Sequence, residues 1–422
     1  MKKLSIFLAL QGLCLLAMAQ PQPPADPLQA LLPPAHQVQD VVLRSPATRA
    51  ALAQRDGQLR RADITESGPA EFTARLSQQN RHVSDPAERY SETQLSLERP
   101  VRWWGKAGLD ADQAGASRTS ARLAYADAIH ETSRELLQLW VEALRAGMRQ
   151  DNAQTNLTLA QELDRLAATR LRLGEISQLD ASLAQAELQR AQAALDQARG
   201  AQSAAVARLT RTYPGITLAQ PPLPDPAWLQ TRLEALPTLP ELRQQYLERN
   251  HQLNLWRSEA ARLRLLAQRT DRDQWPDPTL GIYTANERAG AERVIGVSIS
   301  VPISGKVRQN HALAAAADAQ TAEDRVQQLE QSLGADIEAR YNSLQHLARA
   351  AISVDTAALT QQLAAEKSRR AYTLGEHTMT ELIQNRRLAA EQLTSARLAQ
   401  LEVLEGLALI ELDLHRIWDF DE

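Results

Sequence analysis

Two stretches of nearly seventy residues, 107–173 and 306–374, are rich in helix-forming residues, and each runs into the same turn. At 1.5 Å rise per residue, each would span on the order of 100 Å as a continuous helix. That far exceeds a normal globular helix, even if Gly147 and Gly334 mark kinks or breaks. A helix of this length is not stable alone and needs a partner along its length or an oligomer. The turns are Leu173-Gly174-Glu175 and Leu374-Gly375-Glu376, 201 residues apart, and the same offset carries Asp180 onto Glu381. Behind each turn the apolar spacing is three and four. Ala181, Ala184, Leu188, Ala191, Leu195, Ala198, Ala205 and Leu209 mark the first seam, with Gln202 in one slot. Ala389, Leu393, Ala396, Val403, Leu407, Ile410, Leu414 and Ile417 mark the second, with Gln400 interrupting. Such spacing over about four heptads predicts helices packed along a seam, and the alanines permit close approach.

The duplication extends upstream of the turns. Leu95–Pro100 corresponds to Val297–Pro302, and Gly105-Lys106 corresponds to Gly305-Lys306. Ser45-Pro46-Ala47-Thr48-Arg49 resembles Leu239-Pro240-Glu241-Leu242-Arg243. Four matches in one order predict two structural repeats, each reading helix, strand, loop, strand, long helix, turn, helix. The boundaries are 41–212 and 241–422, with hairpins at about 71–104 and 275–303. The proline-rich segment 213–240 lies between the repeats and reads as a semi-rigid spacer. A second proline-rich segment, 20–40, is expected to run extended rather than helical.

Residues 1–19 read as a secretory signal: Lys2 and Lys3, then the apolar run Leu4–Met18, then the small-x-small pattern Ala17-Met18-Ala19. A membrane anchor is the alternative, but the run is short and no stop-transfer charges follow it. Cys14 is preceded by Leu13 where a lipoprotein signal has a small residue, so the sequence does not predict lipidation. Cleavage after Ala19 would remove this single cysteine, and with it any disulfide or cysteine-based metal site. A net charge of −4 argues against a nucleic-acid partner held by bulk electrostatics. Mean hydropathy of −0.39, with no apolar run of about 20 residues beyond the N-terminus, excludes a multi-span helical membrane protein.

Four short runs read as strands: Phe72–Gln78, Thr93–Glu98, Thr279–Thr284 and Val294–Val301. Val297, Ile299 and Val301 alternate with Ser298 and Ser300, and Leu95 and Leu97 alternate with Gln94, Ser96 and Glu98. Period-two alternation gives one apolar and one polar face. In a membrane barrel the apolar face meets lipid, and Tyr90, Trp103, Trp104, Trp275 and Tyr283 stand near strand ends, where an aromatic girdle belongs. A soluble hairpin with those aromatics as core is the other reading. Four strands cannot close a barrel, so the membrane reading requires several chains to share one.

The order of these elements over about 40–418 resembles the TolC-type outer-membrane efflux channels. The residues carrying the resemblance are the paired Leu-Gly-Glu turns with their acids Asp180 and Glu381, the run Trp275–Gly281, and the run Glu292–Pro302. That second hairpin looks most like the heavy-metal branch, of the cobalt–zinc–cadmium type. The first hairpin matches less well, and the lipid-anchor cysteine of some relatives has no counterpart. The resemblance implies a mainly α fold with a small membrane β part: a homotrimer with a twelve-strand barrel in outer-membrane lipid and a coiled-coil α-helical tunnel in the periplasm. It further implies partners, a periplasmic adaptor and an inner-membrane pump, and it puts Leu173, Gly174, Glu175, Leu374, Gly375 and Glu376 at the periplasmic tips and the adaptor contact. In a trimer, Asp180 and Glu381 would form carboxylate rings favouring cations, though acids near a helix N-terminus also serve simply to offset the dipole. Arg170, Arg172, Arg386 and Arg387 would pair with Glu175, Asp180, Glu376 and Glu381 as gate salt links and hold the tips together.

The sequence offers no enzyme chemistry and calls for no cofactor. His130-Glu131 begins like a zinc-protease helix, but the second histidine is missing. The eight histidines look scattered, and none is assigned as a metal ligand. Three readings stand: a metal-cation efflux conduit, the same channel serving a drug or secretion pump, and a periplasmic coiled-coil interaction protein without a pore.

Overall fold

The computed structural model describes residues 26–68, 71–219, 223–303 and 305–420. The expected signal segment and the first residues of the N-terminal proline-rich run lie outside them. In chain order the elements are α1 (Pro27–Leu31), α2 (Ala35–Leu43), α3 (Pro46–Ser67), β1 (Thr73–Ser84), β2 (Ala87–Pro100), α4 (Lys106–Arg172) and α5 (Gln178–Thr212). There follow α6 (Pro226–Glu234), α7 (Leu239–Arg249), α8 (His251–Arg272), β3 (Thr279–Glu287), β4 (Glu292–Ser300), α9 (Lys306–Leu374) and α10 (Met379–Asp413).

The 67 residues of α4 and the 69 of α9 run without a break through Gly147 and Gly334. At Gly334 the absent side chain has a use: a Cβ there would lie 2.9 Å from Nη2 of Arg243 on α7. α4 packs on α5 and α9 on α10 as two helical hairpins, while α3 and α8 lie against the upstream halves of the long helices. Every seam position named above is buried or half-buried, Gln400 included, and Gln400 Nε2 donates to Asp355 Oδ1 at 3.2 Å. No described helix is long and apolar enough to cross a membrane.

Over its described residues the first proline-rich segment is helical rather than extended, and the spacer segment also carries helices. α1 and most of α2 lie within 20–40, and α6 and the start of α7 within 213–240. The reason is position within the helix. Pro27 and Pro226 occupy the first turn, where a missing N–H costs nothing, and Asp26 and Asp225 cap those helices with their side chains. Pro46 and Pro240 likewise sit in the first turns of α3 and α7. These short helices bury Leu28, Leu31, Val38, Val41, Val42, Leu229 and Leu242 in the main core beside Trp140, whose Nε1 donates to the Leu31 carbonyl at 3.0 Å.

The strands form one antiparallel sheet in the order β1-β2-β3-β4. The first hairpin, weaker in sequence resemblance, is the longer one, with 12 and 14 residues against 9 and 9. Register pairs Leu76 with Leu95, Leu97 with Ile282, Ile282 with Val297, and Leu280 with Ile299. These residues therefore share one face, and all of them are exposed; Val297 is 79% accessible. Ser96, Glu98, Gly281 and Ser298 share the other face. Tyr283 lies across Gly296 there, where a Cβ would sit 2.5 Å from the ring. Trp103, Trp104 and Trp275 cluster at the helix-proximal end, with centroids 6.3 and 5.8 Å apart, and all three are exposed.

Candidate functional site: the paired helical tips

The two tips are built alike, atom for atom along the backbone. At the first, Gly174 N–H donates to the Leu171 carbonyl at 3.0 Å and Glu175 N–H to the Arg170 carbonyl at 2.9 Å. At the second, Gly375 donates to Tyr372 at 3.2 Å and Glu376 to Ala371 at 2.9 Å. This is the double hydrogen bond of a Schellman helix end. It requires a left-handed residue, supplied by Gly174 at φ +74° and Gly375 at φ +81°. Leu173 and Leu374 precede these glycines and are 68% and 74% exposed; Glu175 and Glu376 are exposed too. Leu179, in the first turn of α5, adds a further exposed apolar side chain that the turn motif did not reveal.

Asp180 and Glu381 close capping boxes. Asp180 N–H donates to Ser177 Oγ at 3.1 Å, and Ser177 N–H and Oγ donate to Asp180 Oδ2 at 3.3 and 2.7 Å. Glu381 N–H donates to Thr378 Oγ1 at 3.2 Å, while Thr378 N–H and Oγ1 donate to Glu381 Oε2 at 2.8 and 2.9 Å. The Thr378 backbone and side-chain hydrogen bonds hold the Glu381 carboxyl below its usual range. Helix initiation thus accounts for both acids, as the dipole alternative allows.

The arginines distribute differently from expectation. Arg170 Nε lies 3.7 Å from Glu175, and its guanidinium stacks over the Tyr372 ring at 5.0 Å, bridging the two repeats. Arg172 donates to Thr169 Oγ1 on its own helix at 3.3 Å. Arg387 donates to Glu187 on α5 at 2.9 Å, and Glu187 also takes two bonds from Arg190. Burial alone would raise the Glu187 carboxyl, but the Arg190 and Arg387 hydrogen bonds outweigh it and hold it low. Arg386 faces a cavity of about 250 Å³ between the hairpins, near the Leu159 carbonyl at 3.5 Å, and burial lowers its affinity for a proton. Of the four arginines, then, Arg170 meets a tip acid, and Arg387 ties the hairpins through an acid ten residues inside α5. Beneath the tips, Leu163, Ala167, Ala184, Tyr372, Met379, Leu382 and Ile383 form a separate small core drawn from both repeats.

A second joint lies at the sheet end. Lys106 is fully buried, and its Nζ donates to the Trp275 carbonyl at 2.7 Å and meets Asp273 and Asp277 at 3.0 Å each. Its repeat mate Lys306 is exposed. The duplicated Gly-Lys pair was visible in sequence, but its asymmetric use was not. Asp110 receives Arg102 at 2.9 Å and Arg269 at 2.6 Å in the same joint.

Neither a family model nor a curated protein sequence matches the chain. Solved structures do. The outer-membrane channel OprN superposes with a TM-score of 0.74 at 16% identity, covering 93% of this chain and 91% of its own. The outer-membrane channel CmeC of Campylobacter jejuni gives 0.71 at 11%, covering 91% and 85%. This chain has the outer-membrane channel fold. The outer-membrane protein VceC of Vibrio cholerae agrees, at 0.69 and 17% identity over 90% and 94%. The mainly α architecture with a small four-strand sheet is that of these proteins, over nearly the full length of each.

The structure also gathers what the sequence left scattered. His130, His251 and His415 come together, with ring centroids 4.5 to 5.7 Å apart.

Proposed function

We propose that the chain is the outer-membrane channel subunit of a tripartite efflux assembly, a passive conduit rather than an enzyme. The observation that carries this reading is the sheet. It has an exposed apolar face, an opposite polar face, and outer edges on β1 and β4 that no described strand covers. In water such a sheet would aggregate. Three copies joined edge to edge would close twelve strands, turn the apolar faces to lipid and the polar faces to a lumen, and leave no edge. The exposed Trp103–Trp104–Trp275 cluster then falls at the membrane boundary, with α4, α5, α9 and α10 forming the periplasmic tunnel.

In this reading the tips, with exposed Leu173, Leu179 and Leu374 around Gly174 and Gly375, dock a periplasmic adaptor that connects to an inner-membrane pump. Three copies each of Asp180 and Glu381 would ring the aperture and favour cations. The cargo we propose is heavy-metal cations, on the resemblance of the 275–303 hairpin to that branch. A drug-efflux or secretion channel would share every feature of the fold, since the pump selects the cargo.

Fractionation tests the reading: heat-modifiable trimers in the outer membrane that conduct in planar bilayers are expected, whereas a soluble periplasmic monomer would overturn it. For the ring, Asp180→Asn with Glu381→Gln should reduce cation preference; unchanged reversal potentials would reject it. For the cargo, a deletion strain should become sensitive to cobalt, zinc or cadmium, and drug sensitivity in its place would reassign it.

A further inference from the structure

We propose that His130, His251 and His415 form a binding site for a borderline divalent transition cation of the Zn²⁺ class. The three residues come from distant parts of the chain: the interior of α4, the first residue of α8, and the second residue beyond the C-terminal end of α10. One ligand nitrogen from each lies within 4.8 Å of the others. A tetrahedral ion with bonds of about 2.0–2.1 Å needs its ligand nitrogens roughly 3.3–3.4 Å apart. Small side-chain rotations cover that difference, because all three rings are half-buried at the wall of a cavity of about 410 Å³. Three imidazoles with an open fourth position are a ligand set suited to Zn²⁺, Cu²⁺ or Ni²⁺ and unsuited to Mg²⁺ or Ca²⁺.

Two further observations support the assignment. The first is the backbone at His415. His415 N–H donates to the Leu412 carbonyl at 3.0 Å and Arg416 N–H to the Glu411 carbonyl at 2.9 Å, the same helix end found at both tips. There the left-handed residue is Gly174 or Gly375; here it is His415, at φ +57°. A side chain at this position costs on the order of 1 kcal/mol relative to glycine. The chain holds an imidazole where glycine is the relaxed choice, and that imidazole joins the cluster.

The second is the electrostatic setting. Arg134 Nη2 lies 3.2 Å from His130 Nε2 and Asp413 Oδ1 lies 3.4 Å from the same nitrogen, so His130 sits between a guanidinium and a carboxylate. Arg134 also meets Asp413, which is shared with Arg340 at 2.8 Å, so Asp413 keeps a partner when Arg134 turns aside. The cavity wall carries Asp127, Glu131, Asp336 and Asp413 against Arg134 and Arg340, an excess of negative charge that attracts a cation. A bound ion would fasten the end of α10 and the start of α8 to α4, joining the second repeat to the first.

The test uses the detergent-solubilised full chain, stripped with chelator and titrated with Zn²⁺ by calorimetry, with thermal unfolding read in parallel. The expected result is one ion per chain and a melting temperature that rises with Zn²⁺. His251→Gln should weaken binding at least about 100-fold, since even outer-shell changes cost 10- to 100-fold. His415→Gly separates folding from binding: without metal it should melt at or above the wild type, because it relieves the left-handed side chain, yet it should lose the response to Zn²⁺. His346→Ala, elsewhere on α9, should retain it. If wild type takes up no Zn²⁺, or if His251→Gln and His415→Gly bind as the wild type does, the site is wrong. The channel reading stands or falls independently, on the bilayer and fractionation results.

Discussion

Arg387 on α10 donates to Glu187 on α5 at 2.9 Å, and this bond joins the departing helices of the two repeats behind the tips. The pair is partly exposed, so its direct contribution to stability is about 1 kcal/mol or less. Its position matters more than its strength, since few polar contacts link α5 to α10. Arg387→Met should leave trimer yield unchanged and raise the open fraction of reconstituted channels. Conductance traces indistinguishable from wild type would show that this bond does not restrain the tips.

Two acids, one at a tip and one behind it, set a pH window. Glu187 and Glu381 both have carboxyls depressed in the folded state. A depressed acid contributes stability that is fully present above its unfolded value, near 4.5 for Glu, and is lost as pH falls through the folded value. Thermal unfolding should therefore be flat from neutral pH down to about 5 and decline below about 4. A decline already complete at pH 6 would point to histidines instead and contradict this assignment.

Among the described residues, Lys106 is the fully buried cation at the joint between the sheet and the helices. Lys106→Ala leaves Asp277 without its buried counter-charge, while Asp273 keeps Arg269. Breaking a buried pair costs about 3–5 kcal/mol, and the partial exposure of both aspartates puts this case at the low end. Lys306→Ala, at the equivalent exposed position, should change stability by less than about 0.5 kcal/mol. Equal effects of the two substitutions in denaturant melts would show that the repeats are used symmetrically.

What the sequence disclosed and what it hid divide along physical lines. Periodicity and duplication are local, so the seams, the long helices and the four strands were legible, as were Gly174 and Gly375 as turn glycines. Helix propensity of a proline depends on its place in the turn, which is why the segment containing Pro27 reads as extended, and the one containing Pro226 as a spacer, although both prolines open helices. Partner choice is non-local. Nothing in the order of residues says that Arg387 reaches Glu187 rather than Glu381, or that Lys106 is buried and Lys306 is not. The histidines 130, 251 and 415 are separated by more than a hundred residues each and meet only because both repeats fold onto one another.

The sheet offers the sharpest test of the membrane reading, because adjacent residues of β4 face opposite ways. Val297 pairs with Ile282 on the exposed apolar face, and Ser298 pairs with Gly281 on the polar one. A lysine on the lipid face of a barrel costs about 2–4 kcal/mol near the midplane, whereas a lumen lysine changes mainly selectivity. Val297→Lys should sharply reduce trimers recovered from the outer membrane. Ser298→Lys should assemble normally and shift the reversal potential toward anions. In a soluble hairpin, by contrast, a lysine replacing an exposed valine would be neutral or would improve solubility. Normal assembly of Val297→Lys would therefore exclude lipid from this face and with it the shared barrel.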